Sequence, residues 1–202
     1  MKHIKYITLI LVALMMTANL SHAQAWEKNT KVLSLGFGAS QFFHIDNYYY
    51  SGHPGRGARG WYWPVTGQIN FQGEFGIHKY VGLGFTTGLG GRGPMLYGYN
   101  GEINVPIGLI ANFHFYQLIA DKTGKNIHAD KLDIYAGVNV GSGIAASFYR
   151  DPYDAHAFTR ISPIAFGGVQ LGLRYYFKPK VGVNAEVGFG KSIVNVGFVF
   201  KL

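Results

Sequence analysis

The chain has 202 residues, 48% hydrophobic and only 14% charged, with 29 glycines, no cysteine and a formal net charge of +8. A soluble domain usually carries about 25% charged residues and about 7% glycine, so neither an ordinary soluble domain nor a disordered chain fits. Collagen is excluded because the glycines have no three-residue period, a disulfide scaffold because there is no cysteine, and a helical membrane protein because the only apolar run near the required ~18 residues lies at the extreme N-terminus.

That N-terminal run reads as a secretory leader. Lys2, His3 and Lys5 make a basic start, residues 7–16 an apolar core, and Ser21-His22-Ala23 places small residues where a signal peptidase reads. Cleavage is expected before Gln24, with Ala25 as a second site, which divides the chain into a leader at 1–23 and one domain at 24–202. Without a cysteine the mature chain is not a lipid-modified lipoprotein.

Past residue 30 the dominant period is two, the signature of strands with one apolar face. Near 31–43 the apolar face is Leu33, Leu35, Phe37 and Ala39, and at 66–77 it is Ile69, Phe71, Phe75 and Ile77. At 79–90 it is Val81, Leu83, Phe85 and Leu89. The stretch 102–116 offers Ile103, Val105, Ile107, Leu109, Ala111, Phe113 and Phe115, and 131–148 offers Leu132, Ile134, Ala136, Val138, Val140, Ile144 and Phe148. At 162–177 come Ala165, Val169, Leu171, Leu173, Tyr175 and Phe177, followed by two short strands bearing Val181 to Phe189 and Val194 to Leu202 on alternate positions.

The charges choose the faces. Glu74, Glu102, Asp133, Arg174, Glu186 and Lys201 all fall opposite the bulky apolar series, and no acidic or basic residue is expected on the apolar face. A charge facing lipid costs about 2–4 kcal/mol at the midplane for Arg or Lys. The polar face is glycine-rich (Gly82, Gly84, Gly137, Gly141, Gly172 among others), which makes a poor solvent surface but suits a narrow interior. The reading is therefore an all-β fold: an eight-stranded antiparallel transmembrane β-barrel, up-and-down, with a plugged interior. Outer loops are expected at 44–63, 91–101, 149–160 and 190–192, and inner turns at 78–79, 117–130 and 178–180, with both termini in the periplasm.

This pattern of leader, eight alternating strands and closing strand resembles the small outer-membrane barrels related to the transmembrane domain of outer membrane protein A and to outer membrane protein X. The resemblance covers essentially the whole mature chain. It implies export through the periplasm and insertion by the barrel-assembly machinery, which reads an alternating aromatic C-terminal strand. Phe198 and Phe200 match that signal, and Leu202 stands where phenylalanine is usual.

Aromatics are expected to belt the two interfaces: Phe43, Trp61, Trp63, Phe148 and Phe189 outside, Phe75, Tyr80, Phe115, Tyr175, Phe177 and Phe200 inside. Inside the barrel, charges must pair. Arg174 and Glu186 stand at similar distances from the turn at 178–180 and are expected to meet across the hairpin. Glu74, Asp133 and Lys201 are the other charged members, with Asn70, Asn112, His114, Tyr135, Asn139, Gln170, Tyr176, Asn184 and Asn195 supplying hydrogen bonds.

Catalytic signals are weak. A lipid A acyl hydrolase or transferase needs a serine activated by a histidine and an acid. His114 has no nearby serine on its strand, and there is no His-x-Ser pattern. His44, His53 and His156 share their loops with Asp46, Asp151, Asp154, Ser51 and Ser147 in no fixed arrangement. Asp151, Asp154 and His156 form an incomplete metal set, so no catalytic residue, cofactor or metal is expected. The first outer loop is the distinctive surface. Tyr49, Arg56, Arg59, Trp61 and Trp63 combine hot-spot side chains with arginines suited to lipopolysaccharide phosphates or to an envelope protein partner. Nucleic acid is not an expected partner in that compartment. The function expected is a non-enzymatic envelope-structural or surface-interaction role, with a lipid A-modifying enzyme and a small pore as alternatives.

Overall fold

The computed structural model describes residues 24–44, 65–92, 101–124, 127–150 and 157–202. In chain order these form β1 (Lys31–Gln41), β2 (Phe43–His44), β3 (Val65–His78), β4 (Val81–Arg92) and β5 (Gly101–Phe113). The helix α1 (Phe115–Thr123) follows, then β6 (Leu132–Arg150), β7 (Ala157–Lys178), β8 (Val181–Gly188) and β9 (Val194–Lys201). All pairings are antiparallel, in the order β2-β7-β6-β5-β4-β3-β1-β9-β8, and β8 pairs with β7 as well. Each of the eight longer strands therefore has a hydrogen-bonded neighbour on both sides. The fold is all-β apart from α1 and resembles a small membrane β-barrel.

The structure corrects the sequence expectation at four places. The sheet has nine strands rather than eight, because β2 pairs Phe43 with Ala165 and His44 with Ile164. β7 is 22 residues long while β8 has only 8, and their pairing stops at Gln170 opposite Gly188. β2 supplies partners to part of the β7 edge beyond that point, where backbone groups would otherwise be bare.

The expected turn at 117–130 contains the helix α1, and the preceding strand stops at Phe113 rather than 116. Beyond Phe113 the alternation gives way to helix-favouring residues such as Gln117, Leu118 and Ala120. Gly124 ends the helix in the left-handed region at φ 62°, its amide donating to the Ala120 carbonyl. The expected loop 149–160 is shorter, since β6 reaches Arg150 and β7 begins at Ala157. Finally, Lys31 is exposed on the apolar face, at the first position of β1. There a lysine stem can lie along apolar surface while its ammonium reaches water.

Burial is inverted relative to a soluble protein. Ile107, Leu109 and Val140 in the middle of β5 and β6 are 62–65% exposed, while Asn70, Asn104, Asn112, Asn139 and Asn195 are at most 4% exposed. Most of the exposed apolar strand positions are those the period-two reading assigned to one face, with Val65 and Ile161 added at the strand ends. Glycines make room inside: a Cβ on Gly172 would run into the Tyr135 ring, and one on Gly82 into the Glu74 carboxylate and Trp26. Apolar clusters sit inside at two places, Ala25, Trp26, Val32, Tyr176 and Val199 near the chain ends, and Phe42, Ala145, Ile164 and Phe166 near β2.

Candidate functional site

The buried polar interior is the site the sheet builds. β3, β6 and β7 each contribute one inward-facing charged residue, Glu74, Asp133 and Arg174, and His114 follows directly on β5. His114 Nε2 lies 2.9 Å from Glu74 Oε1 and Nδ1 2.8 Å from Asp133 Oδ1, each at hydrogen-bond distance. Arg174 donates to Glu74 through Nη2 and more loosely to Asp133 through Nη1 (3.5 Å). Two carboxylates thus face a guanidinium and an imidazole whose two nitrogens each lie within hydrogen-bond distance of a carboxylate oxygen. The guanidinium also lies 4.3 Å from the centre of the Tyr135 ring.

A second cluster surrounds Glu186. Its carboxylate accepts from Lys191 Nζ, Tyr135 Oη (2.7 Å), Gln72 Nε2 (2.8 Å) and Asn195 Nδ2 (3.2 Å). The expected contact between Arg174 and Glu186 is not formed. The hairpin register places Arg174 opposite Asn184 and Glu186 opposite Gly172, two residues apart, and each charge has its own partners. Lys191, which sequence reading left in a loop, is 2% exposed and held there by the turn through Gly190 at φ 89°. Its spacing of five residues after Glu186 was the one available signal. Lys201 joins neither cluster through a hydrogen bond: its Nζ donates to the Gln24 carbonyl (2.6 Å) and lies 4.5 Å from the Tyr176 ring centre.

At the opposite end Glu102 lies 3.5 Å from His44 and 3.8 Å from Arg92, and accepts from Asn104 (3.4 Å). Between the ends, Gln170 donates to Asn112 (2.8 Å) and Asn139 donates to Gln170 (3.2 Å) and to the Phe189 carbonyl (3.0 Å).

Residues 24–30, for which sequence reading proposed nothing beyond a new N-terminus, form part of this interior. Trp26 is fully buried and stacks on His114 with ring centres 3.6 Å apart and planes 6° from parallel. The segment is tied down by backbone bonds from Ala25 to Ala129 (2.7 Å), from Asn29 to Gly76 (2.8 Å) and from Gly76 to Thr30 (2.8 Å). At the same end Lys79 and Asp121 form an ion pair at 2.9 Å that links the β3–β4 turn to α1. The hydrogen bond that Lys79 donates to Asp121, with the charge of that carboxylate, raises Lys79 above the usual lysine value. Partial burial pushes Asp121 up, but hydrogen bonds from Lys79 and Tyr80 and the Lys79 charge outweigh it and hold the carboxyl below its usual value.

Both nitrogens of His114 are taken by carboxylates, leaving none to activate a serine. Among the described residues, no group of three or more His, Cys, Asp or Glu is placed to hold a metal ion. The loop candidates Tyr49, Arg56, Arg59, Trp61 and Trp63 lie outside the described residues, as do His53, Asp151, Asp154 and His156.

The chain is thus an antiparallel β protein with a polar, ion-paired interior and an apolar exterior, the arrangement of a small membrane β-barrel. No family model matches it, and no curated protein does. Solved structures of similar arrangement include Ail, the attachment invasion locus protein of Yersinia pestis, in complex with the heparin analogue sucrose octasulfate (11% identity, TM-score 0.44, covering 86% of this chain and 95% of that one). They also include the N-terminal β-barrel domain of Pseudomonas aeruginosa OprF (14%, TM-score 0.46, 87% and 98%) and Neisserial surface protein A (10%, TM-score 0.43, 85% and 93%).

Proposed function

We propose that residues 24–202 form a closed, up-and-down barrel in which the eight longer strands span a Gram-negative outer membrane and the two-residue β2 fills part of the β7 edge. In this reading the leader at 1–23 is removed and both termini face the periplasm. The role is non-enzymatic: the barrel is a plugged scaffold that carries surface loops. The observation that carries the reading is the inverted burial, with exposed Leu, Ile, Val and Phe along the strands around buried asparagines, glutamines and paired charges. The interior supports the plug, since Arg174 on β7 reaches Glu74 on β3 and Glu186 on β8 accepts from Tyr135 on β6 and Gln72 on β3. Lys201 closes the termini end by holding Gln24. Phe198 and Phe200 of β9 are assigned to recognition by the barrel-assembly machinery. Arg56 and Arg59, with Tyr49, Trp61 and Trp63, are assigned to lipopolysaccharide phosphates or a protein partner at the surface.

Folding into phospholipid vesicles, followed by urea titration, tests the reading. Ile107→Arg and Val140→Arg, at the middle of β5 and β6, are each expected to lower stability by about 2–4 kcal/mol. The wild-type protein in planar bilayers is expected to stay closed. Arginines tolerated at both positions would point to a water-facing exterior, and steady conductance of nanosiemens size would refute the plug.

A further inference from the structure

The end that carries both chain termini bears an arc of lysines at the edge of the apolar exterior. Lys31 opens β1 opposite the exposed Phe75, Lys178 closes β7 next to the exposed Phe177, and Lys180 lies in the following turn. The three are neighbours through the backbone. The Leu202 amide donates to the Lys31 carbonyl (3.0 Å), the Lys201 amide donates to the Lys180 carbonyl (2.9 Å), and Lys178 pairs with Val181, itself opposite Phe200. Lys31 and Lys178 are exposed and Lys180 is half-buried. Among the described residues none of the three has a carboxylate within ion-pair distance. Lys79, at the same end, differs in pairing with Asp121.

We propose that Lys31, Lys178 and Lys180 form a binding site for the phosphate of an anionic phospholipid, whose acyl chains lie along the exposed Phe177, Val183 and Phe198. The inference rests on the membrane reading above. Ammonium groups on long apolar stems, set beside an aromatic edge, reach the depth of headgroup phosphates. Clustered lysines near a membrane surface select anionic lipid by charge.

Protein purified from membranes, placed in phosphatidylethanolamine nanodiscs containing a minority of phosphatidylglycerol, tests this by native mass spectrometry of the lipid retained on ejection. Wild type is expected to retain phosphatidylglycerol over phosphatidylethanolamine. The triple variant Lys31→Gln, Lys178→Gln, Lys180→Gln should lose that preference by about a hundredfold, at about fivefold for each of the three charges. The corresponding triple arginine variant should keep it, as should Lys28→Gln, Lys122→Gln, Lys131→Gln, which removes lysines outside the arc. An unchanged preference in the first variant, an equal loss in the last, or displacement of the lipid by soluble anionic peptidoglycan fragments would overturn the site. A wild-type protein that does not insert into phosphatidylethanolamine at all overturns the membrane reading beneath it, whereas insertion without lipid preference overturns the arc alone.

Discussion

Arg174 shows how tightly single residues are committed in this interior. It is 2% exposed and donates to Glu74 and Asp133 while lying against Tyr135. Removing one partner of a buried ion pair leaves the other charge without compensation, at a cost of about 3–5 kcal/mol. Arg174→Met is therefore expected to destabilise the vesicle-inserted protein by about that amount in urea titration. Adding Glu74→Gln should recover at least about 1 kcal/mol, because the second change removes the stranded charge. A double variant less stable than Arg174→Met alone would show that Glu74 is held mainly by His114. The sequence showed that these residues face inward, since parity on a strand is a local property. It did not show which of them meet: Arg174 and Glu186 flank one turn, yet Arg174 bonds to Glu74, 100 residues away.

Among the elements, α1 was the least legible. Residues 115–123 carry no period-two pattern and follow a strand without a glycine or proline to mark the break. The side chains that hold it become neighbours only when β3 and β4 fold, through the Lys79–Asp121 pair. That tether has a defined pH range. Asp121 is held below the usual carboxylate value, so its contribution is complete above that value and is lost as pH falls through its own lowered one. Lys79 is raised, so its contribution is complete below the usual lysine value and is lost as pH rises through its own higher one. Amide exchange in α1, measured against Asp121→Asn as the reference, is expected to show protection specific to the wild type between those limits and none at either extreme. Equal protection in both proteins across neutral pH would remove the pair from the account of how α1 is held. The two-residue β2 was equally invisible beforehand, because its existence depends on β8 being shorter than β7.

At the scale of the whole molecule, the interior and the loops divide the work proposed here. The polar network spans the sheet from the His114 cluster to Glu102 and leaves recognition to the connections between strands. Affinity purification from outer membranes is expected to recover a partner, protein or lipopolysaccharide, with the intact chain and to lose it on deletion of residues 48–60, while the amount of inserted barrel stays the same. Identical recovery from both would move the interaction away from Tyr49, Arg56 and Arg59. The sequence by itself determined the strand period and the side of the sheet most strand residues occupy, because backbone pleating sends alternate side chains to opposite faces wherever a strand forms. Only the tertiary structure decided the ninth strand, the helix, the burial of Trp26 over His114 and the pairing of every interior charge. Those depend on register and on relative strand length, which bring together residues far apart along the chain and which no local pattern records.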